Sequence, residues 1–272
     1  MNDRTSKFER FRAMHARDRA FVIPNPWDAG TTRLLAHLGF EALTTTSPGY
    51  AFSSGKLDSA DEIGRDEILV NAAEIVSATD PPVTADLQNG FGAPPEACAE
   101  TIREAVGVGL VGGSIKDATG APDASIYPFA MAVDRVRAAA DAARGQSFLL
   151  TARSENYLWG RHDLDDTIRR LQAFSDAGAD VLYAPGLPDL NAIRTVRAAV
   201  DKPVNVVMGL RRAHWSAEEL SAAGVRRISV GGSFARAALG ALRSAAEEVR
   251  DRGTFGYTEA AMRGDEFARV FA

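Results

Sequence analysis

The feature that most constrains this chain is an alternation, eight times over, of short β-rich runs with longer helical stretches. The runs fall at 21–24, 42–47, 82–87, 112–116, 148–153, 181–184, 204–208 and 227–230 and are rich in Val, Ile, Leu and Thr. Near-continuous apolar runs are what parallel strands buried on both faces require, whereas half-exposed strands alternate with polar residues. Between them, 31–38, 65–78, 95–106, 130–143, 165–177, 190–199 and 217–223 carry apolar residues at the i, i+3, i+4 spacing of a helix. The punctuation agrees. Pro94-Pro95-Glu96 puts a proline and an acid in a first turn, Asp163 is placed to cap a helix with Asp166 three residues on, and Gly39, Gly178 and Gly224 stand where helices must stop. Eight βα units in 272 residues predict one domain over 1–272, a closed α/β (β/α)8 TIM barrel; an open doubly wound sheet would carry fewer strands or an appended domain. The segment 5–17, with Phe8, Phe11 and Met14 on one face, reads as an extra N-terminal helix covering one barrel end, and the eighth helix starts at Ser233.

Composition removes several function classes. With 46% hydrophobic residues the chain can bury enough surface to offset its ordering entropy, so disorder is excluded. A net charge of −5 offers no basic footprint for nucleic acid. No apolar run approaches the ~20 residues that span a bilayer, and the opening MNDRTSKFERFR is polar where a signal peptide would be apolar. One cysteine, Cys98, cannot form an internal disulfide, which makes a reducing cytoplasm the expected location.

Several motif readings fail on context. Gly107-Val-Gly109-Leu-Val-Gly112 matches GxGxxG, but these glycines end a helix and enter a strand, the reverse of a dinucleotide site. The histidines at 15, 37, 162 and 214 show no metal-ligand spacing, and Cys98 sits between alanines as a packing residue.

In a (β/α)8 barrel the working residues lie at the C-terminal strand ends and in the loops after them. Those ends supply Asn25, Thr46, Ser47, Asp58, Asp86, Gln88, Asn89, Lys116, Asp117, Arg153, Glu155, Tyr183 and Asn205. Asp86 and Arg153 each continue a very apolar strand, so they are expected to share a small polar cavity, and an arginine there suits a carboxylate. The alternative is a purely structural ion pair. Lys116 is the more informative cation. The chain has four lysines (7, 56, 116 and 202) among 31 basic residues, and only Lys116 closes a strand, beside Asp86 and Gln88 of the preceding one.

At these strand ends the sequence resembles the isocitrate lyase/phosphoenolpyruvate mutase superfamily. The resemblance runs from about Phe21 to Arg252 and rests on PNPWDAGTTRLLAHLGFEALTTTS, ADLQNGFG, GGSIKDATG, LLTARSEN and DAGADVLYAPG in that order. It implies a (β/α)8 barrel whose eighth helix is often exchanged between subunits of a homodimer or homotetramer. It also implies a Mg2+-held enolate of a small 2-oxo carboxylate, beside which C–C or P–C bonds are made or broken. By the same resemblance Asp86 is the acid that reaches the metal, with Gln88 reaching it through water. Arg153 holds the substrate carboxylate, Thr46 and Ser47 form a backbone-amide cradle, and Asp58 is an acid/base in the loop after strand two.

Three positions depart from the family pattern. An acid is usual at Gln88, glutamate is usual at Lys116, and the loop after strand four lacks the KxCG-type segment, reading Ala118-Thr119-Gly120-Ala121-Pro122-Asp123. The last argues against isocitrate or methylisocitrate cleavage. The first two alter the metal site: Asp86, neutral Gln88 and protonated Lys116 already sum to zero charge without Mg2+. The expectation is a lyase of a 2-oxo or 2-hydroxy carboxylate in which Lys116 partly replaces the dication, with the loop 119–127 as a lid hinged at Gly120. The alternative is a 2-oxo-acid-binding homologue with altered or lost chemistry.

Overall fold

The computed structural model describes residues 3–58, 62–210 and 215–272, so His214 lies outside the described residues. The eight strands are β1 (Phe21–Ile23), β2 (Leu43–Thr44), β3 (Val83–Asp86), β4 (Gly112–Lys116), β5 (Leu149–Arg153), β6 (Val181–Tyr183), β7 (Val204–Val207) and β8 (Arg227–Ser229). They pair in parallel in the order β1-β8-β7-β6-β5-β4-β3-β2, nearly closing the expected barrel. The ring is completed between β1 and β2 by the Thr44 N–H, which donates to the Pro24 carbonyl at 3.0 Å. Asn25 reinforces the joint. Its Nδ2 donates to the Thr45 carbonyl at 2.9 Å, and its Oδ1 accepts from the Val230 and Gly231 N–H groups at 3.0 and 2.8 Å.

The helices are α1 (Asp3–His15), α2 (Ala29–His37), α3 (Ser47–Ser53), α4 (Arg65–Ser77), α5 (Pro95–Gly107), α6 (Phe129–Ala143), α7 (Leu164–Asp176), α8 (Leu190–Ala199), α9 (Ala217–Ala222), α10 (Ser233–Arg252) and α11 (Gly264–Phe271). Asp163 caps α7 as expected, accepting from the Asp166 N–H at 2.8 Å. The α1 helix closes one barrel end: Phe11 and Met14 pack with Phe21, Ile23, Val111 and Leu149, and Phe8 covers them. Cys98 is buried, and burial raises its thiol.

The expected second strand, 42–47, is a correction. Only Leu43–Thr44 form β2, and α3 begins at Ser47 with Pro48 in its first turn and Thr46 as N-cap. The Thr46 hydroxyl accepts from the Gly49 N–H at 3.3 Å, so a β-branched run that resembles a strand is instead a helix start. The loop after β4 is folded on itself, with an Ala118–Ile126 bridge and a Thr119 N–H to Ser125 carbonyl bond of 2.9 Å. At the far end of the chain, α10 buries only Ala235, although its apolar residues run along one face. The described helices include none long and apolar enough to cross a membrane.

Candidate active site

The strand ends enclose a cavity of about 210 Å³ lined by Thr46, Ser47, Asp58, Asp86, Lys116 and Arg153 together with deeper polar residues. The register explains the grouping, because Lys116 of β4 pairs with Arg153 of β5, and Asp86 of β3 with Ser114 of β4. Register partners share a face, and Lys116 lies two residues beyond Ser114, so all of these side chains face the cavity.

Two chains of interaction cross the site. In the first, Arg153 lies between two carboxylates: Nη1 reaches Asp86 Oδ1 at 3.1 Å, while Nε and Nη2 reach Glu155 Oε1 at 2.9 and 2.8 Å. Its guanidinium also lies over the Tyr183 ring, 4.9 Å from the centroid. Burial alone would raise the Asp86 carboxyl; the charges of Arg153 and Lys116, with bonds from the Gln88 N–H and Ser47 Oγ, outweigh it and hold it below its ordinary value. Conversely, burial opposes the Arg153 cation, but Glu155 and Asp86 outweigh it and raise the guanidinium further. Glu155, which sequence reading left without a role, is therefore the principal partner of Arg153.

The second chain runs beside the first, from β4 toward the loop after β2. Lys116 Nζ donates to Gln88 Oε1, and Gln88 Nε2 donates to Asp58 Oδ1 at 2.8 Å. Gln88 makes both bonds from a left-handed backbone (φ 53°), a conformation that asparagine, aspartate and glycine adopt more readily. The Asp58 carboxyl sits at the mouth with part of its surface in solvent. Partial desolvation and the Asp86 charge push it above its ordinary value. Of the two neighbours expected for Lys116, Gln88 takes its hydrogen bond, while Arg153 pairs with Asp86 and Lys116 acts on that carboxylate at longer range.

Behind the strand ends lies a buried layer that holds this geometry. The Asp117 carboxylate accepts from the Glu155 N–H at 2.8 Å and from Arg170 Nη1 at 3.2 Å, and Arg170 Nε donates to Asp166 at 2.8 Å. Asn89 donates to the Thr119 carbonyl and Tyr127 hydroxyl, both at 3.3 Å, so it braces the loop after β4. Burial dominates at Asp117 and raises it to about 6. Folded protein therefore keeps a proton that the unfolded chain, with an ordinary carboxyl, has lost. Stability from this group declines as pH rises between about 4 and 6. Asp117→Asn is expected to remove that decline, so the stability gap between the two proteins changes by about 2–3 kcal/mol across this window. Urea denaturation at half-unit pH intervals checks it, and parallel curves would refute it.

The fold is shared with known proteins. The phosphoenolpyruvate phosphomutase family matches residues 11–250. A Burkholderia cenocepacia J2315 crystal structure, named only by class as a lyase/mutase, is 57% identical, covers 100% of this chain and 98% of its own, and superposes with a TM-score of 0.97. The structure of 2,3-dimethylmalate lyase is 26% identical, with coverage of 100% and 95% and a TM-score of 0.87. Among curated relatives, 2-methylisocitrate lyase of Shewanella oneidensis is 28% identical over 80% of this chain and 77% of its own. With eight parallel strands in one ring and a family match across most of its length, this chain belongs to the phosphoenolpyruvate phosphomutase family of the isocitrate lyase/PEP mutase superfamily.

Proposed function

We propose that this protein is a lyase that breaks a carbon–carbon bond of a small 2-oxo or 2-hydroxy carboxylate through an enolate, with the Lys116 ammonium stabilising the enolate charge. The observation that carries this reading is the Lys116–Gln88–Asp58 relay: the ammonium's hydrogen-bond partner is a neutral amide, next in line to a carboxyl that holds its proton more firmly than usual. Relatives named 2-methylisocitrate lyase and 2,3-dimethylmalate lyase support the reaction class.

The donor set argues against a resident Mg2+. Asp86 accepts from Arg153, Ser47 and the Gln88 N–H, and Gln88 Oε1 accepts from an ammonium that would repel a dication. Among the described residues no three His, Cys, Asp or Glu side chains are grouped to hold a metal. In the proposed reaction the Arg153 donors not used by Asp86 and Glu155, with the Thr46–Ser47 amides, hold the C1 carboxylate. For a 3-carboxylated 2-oxo acid, the C3–carboxylate bond breaks, carbon dioxide leaves, and the electron pair passes to the 2-oxygen beside Lys116. Asp58 then relays a proton from solvent to C3, leaving the 2-oxo product and Asp58 in its starting state. Retro-aldol cleavage of a 2-hydroxy acid would break C2–C3 instead: the 2-hydroxyl passes its proton to the Asp58 carboxylate and becomes the 2-oxo group, and the electron pair leaves as the enolate of the departing carboxylate, which takes that proton back.

Calorimetric titration of oxalate, a planar enolate mimic, tests the proposal. Binding is expected in EDTA, unchanged by millimolar Mg2+, and weaker by about 10–100-fold in Lys116→Met, the worth of one charge-assisted hydrogen bond. Lys116→Glu is expected to create Mg2+ affinity. Oxalate binding that requires Mg2+ in the unaltered protein would overturn the Lys116 assignment. Tight oxalate binding without turnover of any 2-oxo acid would favour a binding homologue.

We propose also that two copies associate through α10. Its stripe of Leu239, Leu242 and Val249 is exposed, and an amphipathic helix that buries one small residue leaves its apolar face for another surface. Exchange of the eighth helix between subunits, implied by the family resemblance, would cover it.

A further inference from the structure

Inward positions of a (β/α)8 barrel are usually filled by bulky branched apolar side chains. Below the strand ends this barrel instead presents Thr84, Ser114, Thr151, Asn205, Arg227 and Ser229 to the cavity. Arg227, at the start of β8, is 6% exposed. Its Nε donates to Asn205 Oδ1 and its Nη2 to Thr151 Oγ1, both at 2.9 Å. Asn205 is itself oriented by its Nδ2 bond to Ser229 Oγ at 3.1 Å, which commits its carbonyl oxygen to the arginine.

Both acceptors are neutral. Arg153 and Arg170 each have two carboxylates, whereas Arg227 has none within ion-pair reach among the described residues. Below it, His15 of α1 is held neutral near 3 by burial and by the Arg227 charge, and beside it stand Tyr183 and the Arg153 cation. Burial lowers the guanidinium to about 10, with Arg153 pushing the same way, so it stays charged at neutral pH. Only Nε and Nη2 have partners among the described residues, and the side chain lines the cavity. A buried cation without a counterion is unfavourable unless an anion completes the site.

We propose that Arg227 is a second anion subsite on the cavity floor, binding the distal carboxylate of a dicarboxylate substrate. This rests on the functional reading above, which places the 2-oxo carboxylate end at Thr46, Ser47 and Arg153. The cavity of about 210 Å³ reaches from Lys116 to Arg227, far beyond the ~10–15 Å³ that one water occupies. Arg227 acts as a specificity-determining residue in the retro-aldol route, where the distal carboxylate stays on the departing fragment and lies away from the bond that breaks.

The test is calorimetry with pyruvate, which has one carboxylate, against malate, 2-oxoglutarate and 2-oxoadipate, which have two at increasing separation. At least one dicarboxylate is expected to bind about 10–100-fold more tightly than pyruvate. Arg227→Met should abolish that preference while pyruvate affinity stays within about twofold, and Arg227→Lys should keep part of it. Ligand-free Arg227→Met should melt no lower than the unaltered protein, because replacing an unpaired buried charge with an apolar side chain relieves desolvation. A preference that survives Arg227→Met, or the absence of any preference in the unaltered protein, would overturn the subsite. If Arg227→Met does not fold, the side chain is structural, and Arg227→Lys and Arg227→Gln then carry the comparison. Failure of the parent reading looks different: neither oxalate nor pyruvate binds at all.

Discussion

Replacing Arg153 by alanine is expected to lower the unfolding free energy by about 3–5 kcal/mol and to abolish oxalate binding. The reason is what remains behind. Arg153 is the direct cation for both Asp86 and Glu155, whose side chains are 19% and 4% exposed. Without it two carboxylates face each other across a poorly solvated cavity, and the Asp86 carboxyl, now below its ordinary value, would rise above it. The sign of the pH dependence therefore differs between the two proteins. In the unaltered protein Asp86 contributes stability above its unfolded value that is lost on acidification. In Arg153→Ala the unfavourable charge is relieved as Asp86 takes up a proton, so the deficit shrinks as pH falls from about 7.5 to about 4.5. Urea denaturation at both pH values measures it. A deficit under about 1 kcal/mol, or one independent of pH, would mean the triad is solvated well enough to do without its cation.

Leu242→Glu combined with Leu239→Glu is expected to convert the proposed dimer into monomers without unfolding them. The two leucines are 64% and 44% exposed on α10, so in the isolated chain their replacement removes little packing. In a two-fold interface each is lost twice. At about 1.5–3 kcal/mol per buried leucine, and with added carboxylates to desolvate, dissociation should become easier by a hundredfold at the least. Sedimentation velocity at micromolar protein distinguishes the forms. A monomeric unaltered protein, or a double variant that remains dimeric, would remove α10 from the interface.

The barrel was legible because its strands are buried on both faces, so their apolar runs needed no period to be recognised. The error at 42–47 has a physical source. Thr44, Thr45 and Thr46 are β-branched and favour extended backbone, but Ser47-Pro48 after a threonine is also the chemistry of a capped helix start, and here the cap prevails. Asp86 and Arg153 were found from their strand-end positions, and their pairing followed. Glu155 and Asn25 were read only as nearby groups, because which atoms they reach depends on loop backbone that a sequence does not display. Arg227 was recoverable in principle. With Ile228 packed outward in the core, the two-residue period of a strand puts Arg227 and Ser229 on the inner face. That inference needs the barrel to exist first.

The joint between β1 and β2 has a mechanical consequence. Around the rest of the ring, neighbouring strands are laced by ladder bonds along their shared length, but here one backbone bond and the Asn25 amide carry the load. A hoop under thermal agitation opens where the fewest bonds must part, so breathing of this ring concentrates at that joint. Immediately above it lie Thr46 and Ser47, the proposed grip on one end of the substrate. A ligand held there and at Arg153 of β5, three strands round the ring, would act as a strut across that part of the hoop, so occupancy and the stiffness of the ring would rise together.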